Sequence, residues 1–232
     1  MRTGLTLGGI TPLSTIDFPG RLAAVLYAQG CPLRCRYCQN AGLRDNHSQK
    51  TIRWDDAITW LRRRQGLLDG VVFSGGEPTA QPSLHSAITT VRDFGFETAL
   101  HTSGIYPTRL AEVLPSLNWI GLDIKAPFVQ YAQVTGLRGS GAKARLSLES
   151  VLASGVPYEL RTTVHPLILT QDHLIAMACE LHSYGVRRWV LQEFRPQGCS
   201  DIELATSPLG LDKALVTQLR EFIPDITIRA AT

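Results

Sequence analysis

The sequence has few cysteines, little net charge and no long apolar run, and each absence excludes a class of protein. Five cysteines in 232 residues are too few, and too odd in number, for a secreted scaffold held by disulfides. A formal net charge of +3 indicates neither nucleic acid nor a membrane surface as a partner. No apolar stretch approaches the length of a membrane span, and the first residues lack a signal-peptide pattern. We therefore expect a cytoplasmic protein in a reducing compartment.

Short apolar runs alternate with helical patterns along the chain. The candidate strands cover residues 22–27, 70–73, 97–101, 119–124, 158–164 and 188–193. Several are apolar throughout, as is typical of parallel strands covered on both faces. The segments between them place apolar residues at i, i+3, i+4 and i+7, which predicts amphipathic helices. Gly95, Gly155 and Gly185 follow such segments, where a left-handed helix cap is expected.

This alternation predicts an α/β fold with a parallel sheet and right-handed crossovers. Six β–α units are too few for a closed eight-stranded barrel of typical length, so we predict a partial (β/α)6 TIM-like barrel in a single domain, 1–232. Residues 1–21 are a lead-in, 22–200 the barrel core, and 201–232 a final helix with a further strand at 226–229. An open doubly wound sheet is the alternative. The barrel is favoured because the polar motifs follow strands, and the carboxyl ends of strands form the catalytic face of such barrels.

Three of the cysteines lie close together just after the first predicted strand. Cys31, Cys35 and Cys38 are spaced Cys-x3-Cys-x2-Cys, with Tyr37 before the last. Cysteine thiolates hold iron–sulfur clusters, and a [4Fe–4S] cluster has four irons that need ligands. Three thiolates in one loop would leave one iron open to an exogenous chelate. Zinc is the weaker alternative, because it needs four ligands and His47 lies at no usual spacing for the fourth.

The two remaining cysteines are predicted to have no catalytic role. Cys179 falls on an apolar helical face and is expected to be a small buried hydrophobic residue. Cys199 lies in the loop Pro-Gln-Gly-Cys-Ser and is interpreted as a free thiol whose role stays open.

Polar motifs also follow later strands. Gly75, Gly76 and Glu77 come directly after the second strand. The glycines let the backbone approach a ligand and leave amide groups free as donors, while the carboxylate can accept from an ammonium group. Asp123 and Lys125, two apart at the end of the fourth strand, have side chains on the same face. A structural ion pair at the barrel rim is the alternative interpretation of these two charges.

The cysteine triad with its aromatic residue resembles the radical S-adenosylmethionine (SAM) superfamily, in which the amino and carboxylate groups of SAM bind the open iron. The Gly-Gly-Glu turn resembles the motif that contacts the methionyl amino group in that family. The resemblance implies a [4Fe–4S] cluster held by Cys31, Cys35 and Cys38. It also implies a set of SAM-binding residues, namely Tyr37, Gln39, Gly75, Gly76, Glu77, Asp123, Lys125, Arg161 and Arg195.

Two segments resemble one branch of this superfamily, the activases of glycyl-radical enzymes. In that branch an Asp-x-Lys like that at 123–125 contacts SAM. The lead-in Thr-Pro-Leu-Ser-Thr-Ile-Asp-Phe-Pro-Gly at 11–20 looks like that of anaerobic ribonucleoside-triphosphate reductase activating proteins and their pyruvate formate-lyase activase relatives. One difference concerns the third strand. There His101 stands where pyruvate formate-lyase activase has an Asp that binds a monovalent cation, which leaves a cation site in doubt.

The resemblance implies that one electron, from a flavodoxin or ferredoxin type donor, cleaves SAM to methionine and a 5′-deoxyadenosyl radical. That radical would take hydrogen from a glycine of a partner enzyme, and the lead-in favours anaerobic ribonucleotide reductase as that partner. Three alternatives stay open. They are activation of another glycyl-radical enzyme such as pyruvate formate-lyase, radical SAM chemistry on a small molecule as in 7-carboxy-7-deazaguanine synthase, and a non-catalytic iron–sulfur protein. The last would not need the Gly-Gly-Glu and Asp-x-Lys motifs together.

Overall fold

The computed structural model describes residues 4–45, 51–207 and 210–230. Its strands form one sheet in which each strand pairs with its neighbours in sequence. They are β1 (Leu7–Ser14), β2 (Ala23–Ala28), β3 (Gly70–Gly75), β4 (Glu97–Thr102), β5 (Trp119–Asp123), β6 (Tyr158–Val164), β7 (Arg188–Glu193) and β8 (Asp225–Arg229). β1 is antiparallel to β2, and every later pair is parallel. The fold is an α/β partial barrel, as predicted, with β1 and β8 as its two edges.

Helices cover the outer face of this sheet. They are α1 (Trp54–Arg62), α2 (Leu84–Asp93), α3 (Pro107–Val113), α4 (Tyr131–Thr135), α5 (Ser140–Ser154), α6 (Gln171–Ser183), α7 (Ile202–Thr206) and α8 (Lys213–Arg220). The predicted left-handed caps are confirmed, because Gly95, Gly155 and Gly185 have φ values of 86°, 72° and 77°. Among the described residues no helix combines the length and apolar character needed to cross a bilayer.

The two faces of the sheet pack into two separate cores. Along β2, Ala24 and Leu26 face the helices and belong to the large outer core. Ala23 and Val25 alternate with them and face the barrel lumen. The lumen core is small and contains Phe18, Ala23, Val25, Val72, Ala99 and Trp119. This alternation follows from the two-residue period of a strand and leaves room above the lumen core for a cavity.

The lead-in supplies the floor of that cavity. β1 ends with Ser14 beside Ala23, at the amino-terminal end of β2. The following residues, 15–20, are called the lead-in turn. Phe18 packs in the lumen with its ring centroid 6.3 Å from that of Trp119. The carbonyl oxygen of Asp17 lies 2.8 Å from Nε2 of His101, so the turn fills the amino-terminal end of the lumen.

The predicted strands are all present, including the last one, but β1 was missed. Its sequence, Leu-Gly-Gly-Ile-Thr-Pro-Leu-Ser, contains two glycines and a proline, which are depleted in strands. An edge strand tolerates proline, and the pairing with β2 is irregular between Thr11 and Ser14. The prediction for Cys179 was also wrong, since this residue is exposed. The buried side of α6 carries Leu174, Met177, Ala178 and Leu181, and one residue beyond Ala178 the helix has turned by about 100°.

Candidate active site

A cavity of about 250 Å³ opens at the carboxyl ends of the parallel strands. It brings together the residues singled out from the sequence, with one exception, Glu77. The residues that line it are Cys31, Cys35, Cys38, Tyr37, Gln39, Gly75, Gly76, Asp123, Lys125, Arg161 and Arg195. Further lining residues that the sequence did not indicate include Asp17, Asn40, Ser103 and Gln192. Residues far apart in the chain, from Asp17 to Arg195, thus meet in one place because all of them follow or end a strand.

Backbone hydrogen bonds hold the loop that carries the cysteines. This cysteine loop, residues 30–44, is closed at its base by the Gly30 amide, which donates to the Leu43 carbonyl at 2.7 Å. In its middle the Arg34 amide donates to the Thr135 carbonyl of α4 at 2.8 Å. Burial raises the pKa of the Cys31 thiol to about 12 and also raises the pKa of the Cys35 thiol. Both thiols therefore favour the protonated form, and the backbone hydrogen bonds hold the loop in place without a thiolate.

The Glu77 carboxylate is turned away from the cavity into the protein. Its Oε1 accepts from the Thr79 amide at 3.1 Å and from the hydroxyls of Thr79 and Thr102. Its Oε2 accepts from the amide and the hydroxyl of Ser103. Glu77 is only 1% exposed, and five donors surround its two oxygens. The carboxylate therefore connects the ends of β3 and β4, and it does not present itself to a ligand as the sequence suggested.

The two glycines before Glu77 are required for close contact between β3 and the cysteine loop. A Cβ added to Gly75 would lie 2.4 Å from the Ala28 nitrogen, and one added to Gly76 would lie 2.4 Å from the Gly30 carbonyl oxygen. The prediction of free amides is wrong here, because the Gly76 and Glu77 amides donate to the Ala28 and Gly30 carbonyls at 2.9 Å. The Gly76 and Glu77 amides are therefore not free to donate to a ligand, and the Gly75 carbonyl oxygen accepts from the Asn40 side-chain amide at 3.5 Å.

Asp123 binds two cations at the side of the cavity. Its carboxylate oxygens lie 3.2 Å from Lys125 Nζ and 3.0 Å from Arg161 Nη2. Burial alone would raise the pKa of Asp123, but the two cations outweigh it and hold this pKa below its ordinary value. The Lys125 ammonium also lies 5.7 Å from the centre of the Tyr37 ring. Two positive charges against one negative charge leave this side of the cavity suited to an anionic group.

His101 is a neutral side chain in this site. Its ring lies edge-on to Trp119 with the centroids 5.5 Å apart. Burial, and next the positive charge of Arg161, lower its pKa to about 3. A neutral imidazole that contacts a backbone carbonyl connects β4 to the lead-in turn. This neutral ring carries no negative charge with which to bind a monovalent cation.

A model of the radical SAM superfamily matches residues 25–178. The chain belongs to the radical SAM superfamily. The matched region contains the cysteine loop and the ends of β3, β4, β5 and β6. The radical SAM family uses a [4Fe–4S] cluster and SAM, and this protein takes the same two cofactors.

Several named proteins are similar in sequence to this radical SAM protein. One from Methanocaldococcus jannaschii, provisionally named a glycyl-radical enzyme activating enzyme, is 26% identical over 96% of this chain and 95% of its own length. The pyruvate formate-lyase-activating enzyme of Clostridium pasteurianum is 32% identical over 50% of each chain. A PqqA peptide cyclase from a Methylobacterium strain is 34% identical over 67% of this chain and only 41% of its own length.

Solved structures of this superfamily share the fold at low sequence identity. SuiB of Streptococcus suis bound to S-adenosylmethionine has a TM-score of 0.64 and 13% identity, covering 90% of this chain and 50% of that one. The AdoMet-bound anSMEcpe has a TM-score of 0.57 and 18% identity, covering 72% and 49% of the two chains. This radical SAM chain thus spans about half the length of these two solved proteins.

The residues around the cavity of this radical SAM protein fit a cluster better than a single ion. No group of three His, Cys, Asp or Glu side chains in the described part of the chain is placed to hold one metal ion. A [4Fe–4S] cluster binds each thiolate through a different iron, so its ligands need not converge on one point. Three thiols spread around a cavity suit that requirement. His47, the alternative fourth ligand of a zinc site, lies outside the described residues.

A second loop packs on the outside of the cysteine loop. Arg36 donates from Nε to Asp201 at 2.7 Å and from Nη2 to Glu203 at 2.6 Å. The Cys199 sulfur lies 3.3 Å from the Arg36 carbonyl oxygen, and a Cβ on Gly198 would lie 2.2 Å from the Gln39 carbonyl oxygen. Residues 195–203 are called the bracing loop. Cys199 therefore contacts the cysteine loop without lining the cavity.

Proposed function

We propose that this radical SAM enzyme activates a glycyl-radical enzyme by generating a radical on one of its glycines, with anaerobic ribonucleoside-triphosphate reductase as the favoured partner. The observation that carries the proposal is the similarity to the Methanocaldococcus jannaschii protein, which extends over 96% of this chain and 95% of that one. The pyruvate formate-lyase-activating enzyme adds support over half of the chain. A similarity that runs from end to end covers the lead-in as well as the cysteine loop.

We assign Cys31, Cys35 and Cys38 as the cluster ligands. All three line one cavity, and a loop with only three cysteines leaves an iron for the amino and carboxylate groups of SAM. When bound, the two cofactors would supply a 5′-deoxyadenosyl radical, because one electron would break the sulfonium carbon–sulfur bond and release methionine. The electron would come from a low-potential protein of the flavodoxin or ferredoxin type. Transfer of a hydrogen atom from the glycine α-carbon would then give 5′-deoxyadenosine and a glycyl radical.

The remaining lining residues are assigned to SAM according to their chemistry. The carbonyl oxygens of Gly75 and Gly76 are acceptors for an ammonium group, in place of the Glu77 carboxylate, which contributes by holding this turn. Lys125 and Arg161, which share Asp123, suit a carboxylate or ribose hydroxyls.

Three SAM-binding assignments concern the part of the cavity near the bracing loop and Tyr37. Gln39 Nε2 donates to the Arg195 carbonyl at 3.2 Å, so its position depends on the bracing loop. Arg195 is exposed at the cavity mouth, where its guanidinium would meet the outer part of SAM. Tyr37 lines the cavity, and the Lys125 ammonium lies 5.7 Å from the centre of its ring.

A side opening in the barrel suits a protein substrate. A second cavity of about 130 Å³ shares Asp17, His101 and Arg161 with the first. It continues past Ile16 of the lead-in turn toward Arg229 of β8. This places the opening between the two edges of the sheet, where an extended loop of another protein can approach the main cavity. A sealed mouth would better suit the small heterocycles of the small-molecule alternative.

Modification of a peptide by a route other than a stored glycyl radical is the second candidate function. The similarity to a PqqA peptide cyclase, at 34% identity over 67% of this chain, favours it. Both candidates use the same cofactors and a polypeptide substrate, so they differ only in the fate of the substrate radical.

The proposal is tested by following hydrogen transfer to SAM. Reduced, cluster-loaded protein is mixed with SAM and anaerobic ribonucleotide reductase whose glycine α-carbons carry deuterium. We expect a glycine-centred paramagnetic signal on the reductase and deuterium in 5′-deoxyadenosine. Cys31→Ala, Cys35→Ala and Cys38→Ala should abolish cluster assembly, whereas Cys179→Ala and Cys199→Ala should retain it. Turnover of a small heterocycle without any protein partner would contradict the activase assignment and leave the superfamily assignment intact.

A further inference from the structure

The cysteine loop presents arginines on the side that faces away from the main cavity. Cys35 is buried and lines that cavity, whereas its two neighbours, Arg34 and Arg36, are exposed. Consecutive Cα atoms are about 3.8 Å apart, so only the thickness of the loop separates the outer surface from the Cys35 thiol. Arg36 is already bound to the bracing loop by its two ion pairs. Arg34 is therefore the cation beside Cys35 that is left for a partner.

Two further cations lie beside Arg34. The Arg34 amide binds the Thr135 carbonyl, and a Cβ on Gly136 would lie 3.0 Å from the Arg34 Cβ. Arg138 follows two residues later, and Lys143 lies in the first turn of α5. Both side chains are exposed. Arg34, Arg138 and Lys143 are together called the basic surface.

The positive charge of the basic surface is not compensated by carboxylates of its own segments. Neither of the two segments that form it, residues 18–44 and 124–148, contains an acidic residue between its ends. The Arg34 guanidinium donates to two backbone carbonyls of its own loop, at 3.0 and 3.1 Å. None of the three cations forms an ion pair with another described residue. The N-terminus of α5, between Arg138 and Lys143, adds positive partial charge, so this surface suits an acidic partner.

An exposed apolar residue lies next to these charges. Val129 is 90% exposed in the short turn before α4. A Cβ on Gly141 would overlap the Phe128 carbonyl oxygen, which places that turn against the first turn of α5. The Glu180 carboxylate accepts from the Phe128 amide at 3.1 Å, so it is held by the turn. Interfaces between proteins combine an apolar centre with a polar rim, and electron-transfer encounters are among the smallest of them.

We propose that the basic surface docks an acidic electron-transfer protein, which delivers its electron to the cluster across the cysteine loop. The inference rests on the proposed function, because the cluster is assigned there. One electron leaves the reduced carrier and enters the oxidised cluster, and no bond is formed or broken. The side cavity is lined by none of the three cations. Docking of the carrier therefore uses none of the residues that line the approach of the protein substrate.

The experiment compares two double variants that have the same net charge. Arg138→Glu with Lys143→Glu reverses two charges of the basic surface. Arg187→Glu with Lys213→Glu reverses two exposed charges elsewhere, one just before β7 and one at the start of α8. Each double variant lowers the formal net charge from +3 to −1, because each reversal changes it by two units. Arg34 is left in place because it also binds carbonyls of the cysteine loop.

The cluster-loaded proteins are reduced by an acidic flavodoxin in one series and by excess dithionite in the other, with SAM and without a protein substrate. Formation of 5′-deoxyadenosine is followed in both series, and flavodoxin binding is measured by fluorescence anisotropy. At low salt the basic-surface variant should bind flavodoxin about tenfold more weakly and cleave SAM about tenfold more slowly with it. With dithionite it should cleave SAM at the wild-type rate. The control variant should retain most of the wild-type affinity and rate, and added salt should slow only the flavodoxin series.

Three results would overturn the proposal. Equal losses in the two double variants would mean that the net charge of the whole protein matters and not its position. An equal loss with dithionite would place the defect in the main cavity. Wild-type affinity and rate with flavodoxin in the basic-surface variant would exclude docking there, and slower glycyl-radical formation on a partner enzyme would then assign the surface to the protein substrate. Because 5′-deoxyadenosine is measured without a protein substrate, failure of the activase assignment would leave this test intact.

Discussion

At the scale of single residues, the buried polar groups beside the cavity hold the ends of β3 and β4 in register. Glu77 concentrates five hydrogen bonds on two oxygens. A glutamine there would turn an amide NH2 toward groups that are themselves donors. The negative charge of Glu77 is thus already stabilised by donors of the protein before any ligand binds.

Replacing Glu77 by Gln should therefore destabilise the protein even without cofactors. We expect the free energy of unfolding to fall by roughly 1.5–3 kcal/mol, the range for hydrogen bonds to a buried charged group. Urea unfolding of the cofactor-free protein measures this, with Glu112→Gln on the exposed side of α3 as the control. An unchanged unfolding curve would show that Glu77 is reserved for a ligand, as the sequence pattern suggested.

His101 should make the protein less stable in mild acid. Its pKa is about 3 in the folded protein and about 6.5 when unfolded, so between these values only the unfolded chain takes up the proton. The contribution of the neutral ring to the free energy of unfolding has its full value above about pH 6.5 and decreases as the pH falls. Partial exposure of the ring limits the slope to roughly 1 kcal/mol per pH unit or less.

The measurement is urea unfolding at pH 7 and pH 5, where most carboxylates have not yet titrated. His101→Gln keeps a donor toward the Asp17 carbonyl. The free energy of unfolding of this variant should differ less between pH 7 and pH 5 than that of the wild-type protein. His85→Gln, at an exposed position on α2, should keep the full wild-type difference. If the free energy of unfolding changed equally with pH in all three proteins, His101 would titrate normally in the folded state.

The types of residue at the site were predictable, whereas their orientations were not. The spacing of Cys31, Cys35 and Cys38 and the position of each motif after a strand correctly placed them at one cavity. That Glu77 points inward, and that the Gly76 amide is already bound, depends on how closely the turns after β2 and β3 approach each other. This distance is a property of tertiary packing, and a linear motif does not contain it.

At the scale of secondary-structure elements, the cysteine loop depends on the bracing loop beside it. The two are connected by the ion pairs of Arg36 and by the close approach of Gly198 to the Gln39 carbonyl. Gly198 has a φ of 79° and Gly139 a φ of 73°. Only Gly198 has a neighbour within reach of an added Cβ, since nothing lies within 4 Å at Gly139.

Gly198→Ala should accordingly impair cluster retention, and Gly139→Ala should not. Both changes place a Cβ in a left-handed conformation, at a cost of about 1–2 kcal/mol, but only the first also pushes the bracing loop away from Gln39. Iron and sulfide content after anaerobic gel filtration, together with thermal unfolding, compares them. Equal iron loss from both variants would indicate a general loss of stability and no specific bracing.

Elements with strong periodicity were predicted well, and those without it were missed. The β2, β3 and β5 strands are largely apolar runs, and α2 carries a clear stripe of buried residues. β1 and the bracing loop have no such pattern, because an edge strand is half solvated and a loop is shaped by what it contacts. Their positions follow from pairing partners that lie elsewhere in the chain.

At the scale of the whole molecule, the described part of the barrel is open between the lead-in turn and β8. Ile16 is 77% exposed there and lines the side cavity. A bulky residue at this position should obstruct a protein loop without reaching the cysteines. Leu67, which is 64% exposed and lies between α1 and β3, provides a control at a distance.

Ile16→Trp should therefore reduce glycyl-radical formation on the partner several-fold while leaving SAM cleavage in the absence of partner unchanged. Leu67→Trp should change neither. The glycyl radical is quantified with the partner present, and 5′-deoxyadenosine is quantified in a separate reaction without the partner. Loss of the 5′-deoxyadenosine formed without partner in Ile16→Trp would place the defect at the cavity and not at the opening.

The position of the lead-in turn also sets an order of events during synthesis. Phe18 is made before any of the parallel strands, yet it packs against Trp119, which is made about a hundred residues later. Contacts so distant in sequence form late, because a long loop must close first. The cavity therefore acquires its floor only after its cysteines, β3 and β4 have been made, and a nascent chain stalled before β5 would carry a cysteine loop open to solvent from below.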